Sequence, residues 1–285
     1  LKILIIGLGS MGHRYIDILQ RNYDFNLYAL RSGSGLTETP NGVIELTTWT
    51  EVMDIKPDVA FITNPTRFHI DIALECAERE INLFIEKPLD VSTKGLDRLI
   101  NLVKENDLMA YVAYPFRFHE GLYKLRTRQA YMRLRGREFV ENAEIVCKTN
   151  YKKWQPYKVG EHRREHDGVL LELSHEIDLA SWFFGAVMDI SGFSGDTMAD
   201  LMLRCAEADE KIHVLLDMDS DEEERYISFD GTRFDYFGNM RMYEHQVRYY
   251  IDHCVRPSMM INNLESASDL FYRLIQFRDS MGDIK

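Results

Sequence analysis

An α/β fold is predicted: a parallel sheet wrapped by helices in residues 1–114, then an α+β domain with an open, mostly antiparallel sheet in residues 115–285. Three observations lead there. Short apolar runs alternate with helical stretches through the first 114 residues. A glycine cluster follows the first of those runs directly. After Pro115 the rhythm changes, and a helix gives way to a series of strand-like segments.

The elements follow in order. Strands are expected at 2–6, 26–30, 59–62, 82–85 and 109–112, and helices at 11–21, 68–79 and 93–106, where apolar residues recur at three and four residue spacing. Asp58, Asn82 and the Asn106-Asp107 pair sit where turns into strands belong. Beyond Pro115 come a basic helical stretch to about 135, a strand over 139–149, a polar linker to 167 and a strongly apolar helix over 169–184. Strands are expected at 212–218, 226–229 and 234–237, and closing helices at 243–255 and 264–279. The acidic run 217–224 reads as a solvated loop.

Bulk properties narrow the function. The 285 residues suffice for two domains. With 45% hydrophobic and 28% charged residues the chain reads as globular. A formal charge of −12 argues against nucleic acid or an anionic membrane as a partner. The four cysteines, Cys76, Cys147, Cys205 and Cys254, lie far apart without CxxC spacing, so a reducing, cytoplasmic location is expected. No apolar run reaches membrane-spanning length, and the run over 3–6 is too short for a signal peptide.

The stretch ILIIGLGSMGHRY places Gly7, Gly9 and Gly12 after a strand and at the mouth of a helix. In the Rossmann dinucleotide-binding arrangement the first glycine makes the tight turn, the second admits the pyrophosphate, and the third lets helix pack on strand. The amides of Ser10 and Met11 would meet the phosphate at the positive end of that helix. An NAD site usually has an acidic residue about 20 residues further on. Here the count leads to Leu30, Arg31 and Ser32, with no acidic residue, and Arg31 and Ser32 suit the 2′-phosphate of NADP, so NADP is favoured over NAD.

Three further stretches converge: Asn64-Pro65-Thr66 with His69 on the next helix, Glu86-Lys87-Pro88 after a strand, and AYPFRFH followed by GVLLELSHEIDLASWFFG. With the glycine motif, these resemble the glucose-fructose oxidoreductase / inositol dehydrogenase / MocA (Gfo/Idh/MocA) family of nicotinamide-dependent oxidoreductases, over nearly the whole chain. The resemblance implies hydride transfer between the nicotinamide and a hydroxyl-bearing carbon of a sugar, polyol or nucleotide-sugar. It implies Lys87 and His175 as catalytic residues, with Asn64, Pro65, His69, Glu86 and Arg117 lining the cofactor crevice. It also implies a homodimer or homotetramer formed through the C-terminal sheet.

The helix over 169–184 supports His175 from its own residues. Apolar side chains occupy nearly every direction, yet Glu172, His175 and Asp178 recur every three residues as one polar stripe. Such groups need partners or a cavity, and Glu172 and Asp178 are candidates to meet the substrate. The alternative is a core network in which Asp178 fixes the His175 ring. The chain departs from its relatives in two places. His166-Asp167-Gly168 stands for three glycines, and Leu171 lies four before His175 where an aspartate is usual, although Glu172 matches that aspartate when counted from the glycine.

HRREH at 162–166 fits an HxxEH zinc pattern, but GEHRREHDG has no apolar residue with which a helix could pack, so no metal site is expected. A polar loop at the active-site mouth fits better, with Arg163 available to a phosphate and Trp154 and Tyr157 available to stack on a sugar. Two other functions stay open. A non-catalytic dinucleotide sensor has no need for both Lys87 and His175, and a reductase of a small carbonyl or imine would dispense with His175.

Overall fold

The computed structural model describes residues 1–31, 38–136, 142–153, 167–254 and 263–282. The chain forms two compact units, Leu1–Ala113 with Tyr243–Ser268, and Tyr114–Met242 with Asp269–Lys285.

The first unit is built on β1 (Lys2–Ile6), α1 (Ser10–Asn22), β2 (Asn26–Leu30), β3 (Val43–Leu46), α2 (Trp49–Ile55), β4 (Val59–Ile62), α3 (His69–Ala77), β5 (Asn82–Glu86), α4 (Leu96–Glu105) and β6 (Ala110–Ala113). Its six strands pair in parallel in the order β3-β2-β1-β4-β5-β6. β1, β4 and β5 are buried runs such as Val59–Ile62 because a parallel sheet is covered on both faces. The order reverses beside β1, which pairs with β2 on one side and β4 on the other, so the crevice beyond the carboxyl ends opens there. β3 and α2 were not expected. β3 is a four-residue edge strand with two exposed positions, and α2 is too short for its periodicity to stand out. A capping box, Thr48 with Glu51, starts α2 and was the available signal.

The second unit contains α5 (Glu120–Leu134), β7 (Ala143–Asn150), α6 (Val169–Glu172), α7 (Ser174–Phe184), β8 (Val187–Ser194), β9 (Met198–Cys205), β10 (Ile212–Asp217), β11 (Asp219–Phe229) and β12 (Thr232–Asp235). Its sheet runs β12-β11-β7-β10-β9-β8 and is antiparallel except where β10 pairs with β7. Two expectations need correction. The apolar helix over 169–184 is broken at Leu173 (φ −101°, ψ 26°) into α6 and α7. The acidic run 217–224 is strand with an irregularity between Asp219 and Glu224, not loop. Its charges are met from β7 and just beyond it: Lys148 reaches Glu222 at 2.7 Å and Glu224 at 3.1 Å, and Lys152 reaches Asp219 at 2.7 Å.

Two helices close the chain, α8 (Met240–Cys254) and α9 (Leu264–Gly282). Residues 243–268, placed by the sequence in the second domain, cluster with the first unit. The Tyr250 ring explains this, lying 5.1 Å from Phe84, 5.9 Å from Phe61 and 5.9 Å from Tyr111. Aromatic contacts of this kind add to the burial of large apolar area. Among the described residues no helix is long and apolar enough to cross a membrane.

Candidate active site

In the first unit the carboxyl ends of β1, β4 and β5 bring the expected cofactor residues to one sheet edge. Gly7 turns the chain at φ +97°, and a Cβ there would lie 2.6 Å from the Asn64 backbone. A Cβ on Gly12 would lie 2.1 Å from the Gly7 carbonyl oxygen. Gly9 faces open space, with no atom within 4 Å of a Cβ position. It is also the N-cap of α1 and offers no side-chain cap, so the first amides of the helix point outward with their dipole uncompensated. The Thr63 hydroxyl ties β4 to this turn, donating to the Gly7 carbonyl at 2.6 Å. The side-chain oxygen of Asn64 is buried and has no hydrogen-bond partner among the described residues. An open glycine, bare helix amides and an unanswered buried acceptor fit a bound dinucleotide. Gly12→Ala is therefore expected to weaken dinucleotide binding at least tenfold, which a fluorescence titration would read.

Arg31 follows β2, with Ser32 next but outside the described residues. Its guanidinium donates to Glu45 of β3 at 3.1 Å and to Thr39 at 3.0 Å, and only 11% of the side chain is exposed. It is held at the strand end and is not a mobile surface arginine.

Glu86 does not face outward with Lys87. On β5 it shares a face with Phe84, two residues earlier, and that face meets α1. Tyr15 of α1 packs on Phe84 at 5.1 Å and donates its hydroxyl to the Glu86 carboxylate. Burial pushes the Glu86 carboxyl above the usual range, with the Tyr15 hydrogen bond and the Lys87 charge opposing. Lys87 comes next, half-buried, and the Lys87-Pro88 peptide is cis. His69, at the start of α3, lies within hydrogen-bonding distance of the Pro88 carbonyl (2.9 Å) and the Asn64 carbonyl (2.8 Å). Pro65 caps the short turn leading to it and is exposed.

In the second unit the expected residues gather at α7. The His175 ring is half-buried and meets the Phe116 ring edge-on at 5.2 Å and that of Tyr114 at 6.1 Å. Asp178, one helical turn on, is buried and is neither open to solvent nor bonded to His175. Arg117 clamps it with two hydrogen bonds, Nε to Oδ2 at 2.9 Å and Nη2 to Oδ1 at 2.6 Å. Burial raises the Asp178 carboxyl and Arg117 opposes that rise. Glu172 ends α6 and accepts from the Asp167 amide at 3.5 Å. Trp154, Tyr157, Arg163 and the HRREH stretch lie outside the described residues.

One cluster beside His175 escaped the sequence. Glu176 is fully buried and pairs with Arg225 of β11 at 3.0 Å. Arg225 also donates to the Cys147 sulfur, at 3.1 Å from Nη2, and its guanidinium lies 4.9 Å from the centre of the Phe116 ring. The three-residue stripe drew attention to Glu172, His175 and Asp178 and passed over Glu176, adjacent to His175 in SHEID. Its partner is 49 positions away and only sheet register reveals it.

Comparison with known proteins agrees with this architecture. Residues 1–114 match the family model GFO_IDH_MocA, described as an oxidoreductase family with an NAD-binding Rossmann fold. A myo-inositol 2-dehydrogenase of Thermotoga maritima is 23% identical over 216 residues, covering 70% of this chain and 60% of that protein. The chain thus matches less than two thirds of that curated relative's length. Among solved structures, the myo-inositol 2-dehydrogenase of Lactobacillus plantarum superposes with a TM-score of 0.81 at 13% identity, over 100% of this chain and 98% of that one. The WlbA (WbpB) dehydrogenase of Thermus thermophilus, solved with NAD and UDP-GlcNAcA, gives a TM-score of 0.76 at 15% identity, over 97% of this chain and 94% of that one. At such identities these structural likenesses establish the fold.

Proposed function

We propose that the chain, whose residues 1–114 match the GFO_IDH_MocA oxidoreductase family model, is a nicotinamide-dependent dehydrogenase of a sugar, polyol or nucleotide-sugar hydroxyl. The observation that carries the reading is the position of Lys87, immediately after β5, at the same sheet edge as the Gly7-Gly9 turn and the bare N-terminus of α1. A nicotinamide dinucleotide, when bound, supplies the hydride acceptor or donor. The Gly9, Ser10 and Met11 backbone would hold its phosphates, Asn64 would donate or accept through its side-chain amide, and Arg31 would meet a 2′-phosphate, which favours NADP.

The rest of the chemistry falls to the chain's own groups. His175 takes the hydroxyl proton as the alcohol becomes a ketone, since a neutral imidazole is a competent base near neutral pH. Lys87, as a cation, would lower the energy of a developing alkoxide. In the reverse direction His175 returns the proton. Arg117 and Asp178, locked together, hold the helix face that carries His175. Exposed apolar side chains on the second sheet, Met188, Phe193 and Met198, support assembly into a homo-oligomer.

The test is to mix the protein with NADP or NAD and a panel of inositols, free hexoses and nucleotide-sugars, following the absorbance of the reduced nicotinamide. Substrate-dependent reduction with at least one polyol or sugar is expected. Tight dinucleotide binding with no turnover on any of them would instead return the sensor reading. Turnover that survives His175→Ala would point to the carbonyl or imine reductase.

A further inference from the structure

His69 is buried at 2% exposure between two segments of the first unit. One ring nitrogen lies 2.9 Å from the Pro88 carbonyl oxygen and the other 2.8 Å from the Asn64 carbonyl oxygen. Carbonyl oxygens only accept hydrogen bonds. A neutral imidazole has one N–H and one lone pair, so in either tautomer one contact would set a nitrogen lone pair against a carbonyl lone pair. Both contacts become hydrogen bonds only when both nitrogens carry protons.

We propose that His69 is an imidazolium that acts as a positioning residue, tying the Asn64 carbonyl to the Pro88 carbonyl and so fixing the two loops that carry Asn64 and Lys87 at the sheet edge. The surrounding charges support a cation. Asp90, two residues beyond Pro88, is buried; burial raises its carboxyl, opposed by backbone amides and, least of all, by the His69 charge. Its carboxylate also accepts from the Ile70 amide in the first turn of α3, at 3.3 Å. Lys87, one residue before Pro88, opposes the cation from a half-buried position. Of the other charges on neighbouring elements, Arg67 and Asp71 on its own segment and Asp97, Arg98, Lys104 and Glu105 on α4 are exposed, and Glu75 of α3 is paired with Arg79 at 2.6 Å. β4 carries no charge, and the Glu86 carboxylate at the end of β5 is held by Tyr15. Two hydrogen bonds that favour the charged ring, plus a buried carboxylate, offset the desolvation that would otherwise neutralise it.

The inference deepens the dehydrogenase reading and rests on it for its consequence, but its first test does not require activity. In the intact, isotope-labelled protein at pH 7.5, the His69 ring assigned by nitrogen-correlated NMR should show two solvent-protected N–H protons. The second test is dinucleotide affinity as a function of pH. In the wild-type protein the Kd should rise about tenfold as the pH is taken upward through the loss of the His69 proton, and in His69→Gln it should be weaker and flat over that range. A ring with one N–H at pH 7.5 overturns the imidazolium. Two N–H protons with an affinity indifferent to that titration overturn the positioning role. If the wild-type protein binds no dinucleotide, the functional reading fails while the ring's protonation is still decided by the spectrum.

Discussion

Lys87→Ala is expected to lower kcat by about 10²- to 10³-fold, the range seen when one donor to a developing oxyanion is removed. That corresponds to about 3–4 kcal/mol of lost transition-state stabilisation. Affinity for the dinucleotide should change far less, because the glycine turn, the α1 amides and Asn64 are independent of the lysine side chain. The diagnostic is the split: steady-state kinetics should show kcat and kcat/KM falling together while the Kd from fluorescence titration moves less than threefold. Lys87→Arg keeps the charge but not its compact shape and should recover only part of the loss. Near wild-type turnover in Lys87→Ala would remove the lysine from the mechanism, and a large rise in Kd would make it a binding residue.

The legible part of the molecule was whatever local sequence determines. Gly7, Gly9 and Gly12 announced the first crossover: Gly7 turns at positive φ and, like Gly12, has no room for a Cβ, while Gly9 leaves open space before the helix. The buried runs over 3–6, 59–62 and 82–85 announced a two-sided parallel sheet. What stayed hidden depends on partners remote in sequence. The resemblance puts Glu86 at the cofactor, yet Glu86 lies on the β5 face that meets α1, where Tyr15 claims the carboxylate. Asp178 was read against His175, its neighbour on the helix, but Arg117, 61 positions earlier, takes both its oxygens. The acidic run 217–224 looks like a loop because its charges are mutually repulsive in isolation, and cations remote in sequence, Lys148, Lys152 and Arg233, make it acceptable as strand. The helix break at Leu173 has no breaker residue to advertise it, since neither proline nor glycine stands there.

The Glu176–Arg225 pair yields the largest stability effect. Arg225→Met removes the cation that β11 sets 3.0 Å from a carboxylate with no solvent exposure. Breaking a buried pair by deleting one partner costs about 3–5 kcal/mol, because the remaining charge keeps its desolvation penalty without its compensation. The double variant Glu176→Leu with Arg225→Met leaves no charge behind and should recover most of that loss, to within about 1 kcal/mol of wild type. Urea unfolding of the four proteins forms a complete cycle. A loss below about 1 kcal/mol in Arg225→Met would mean that water or a shifted group already screens Glu176. The two effects should also separate in function. The guanidinium lies 4.9 Å from the centre of the Phe116 ring, and that ring meets His175 edge-on at 5.2 Å. Even where the double variant regains its stability, it has lost the cation that holds Phe116. Its kcat should therefore stay below wild type with KM little changed, so that stability returns without the full orientation of the His175 imidazole.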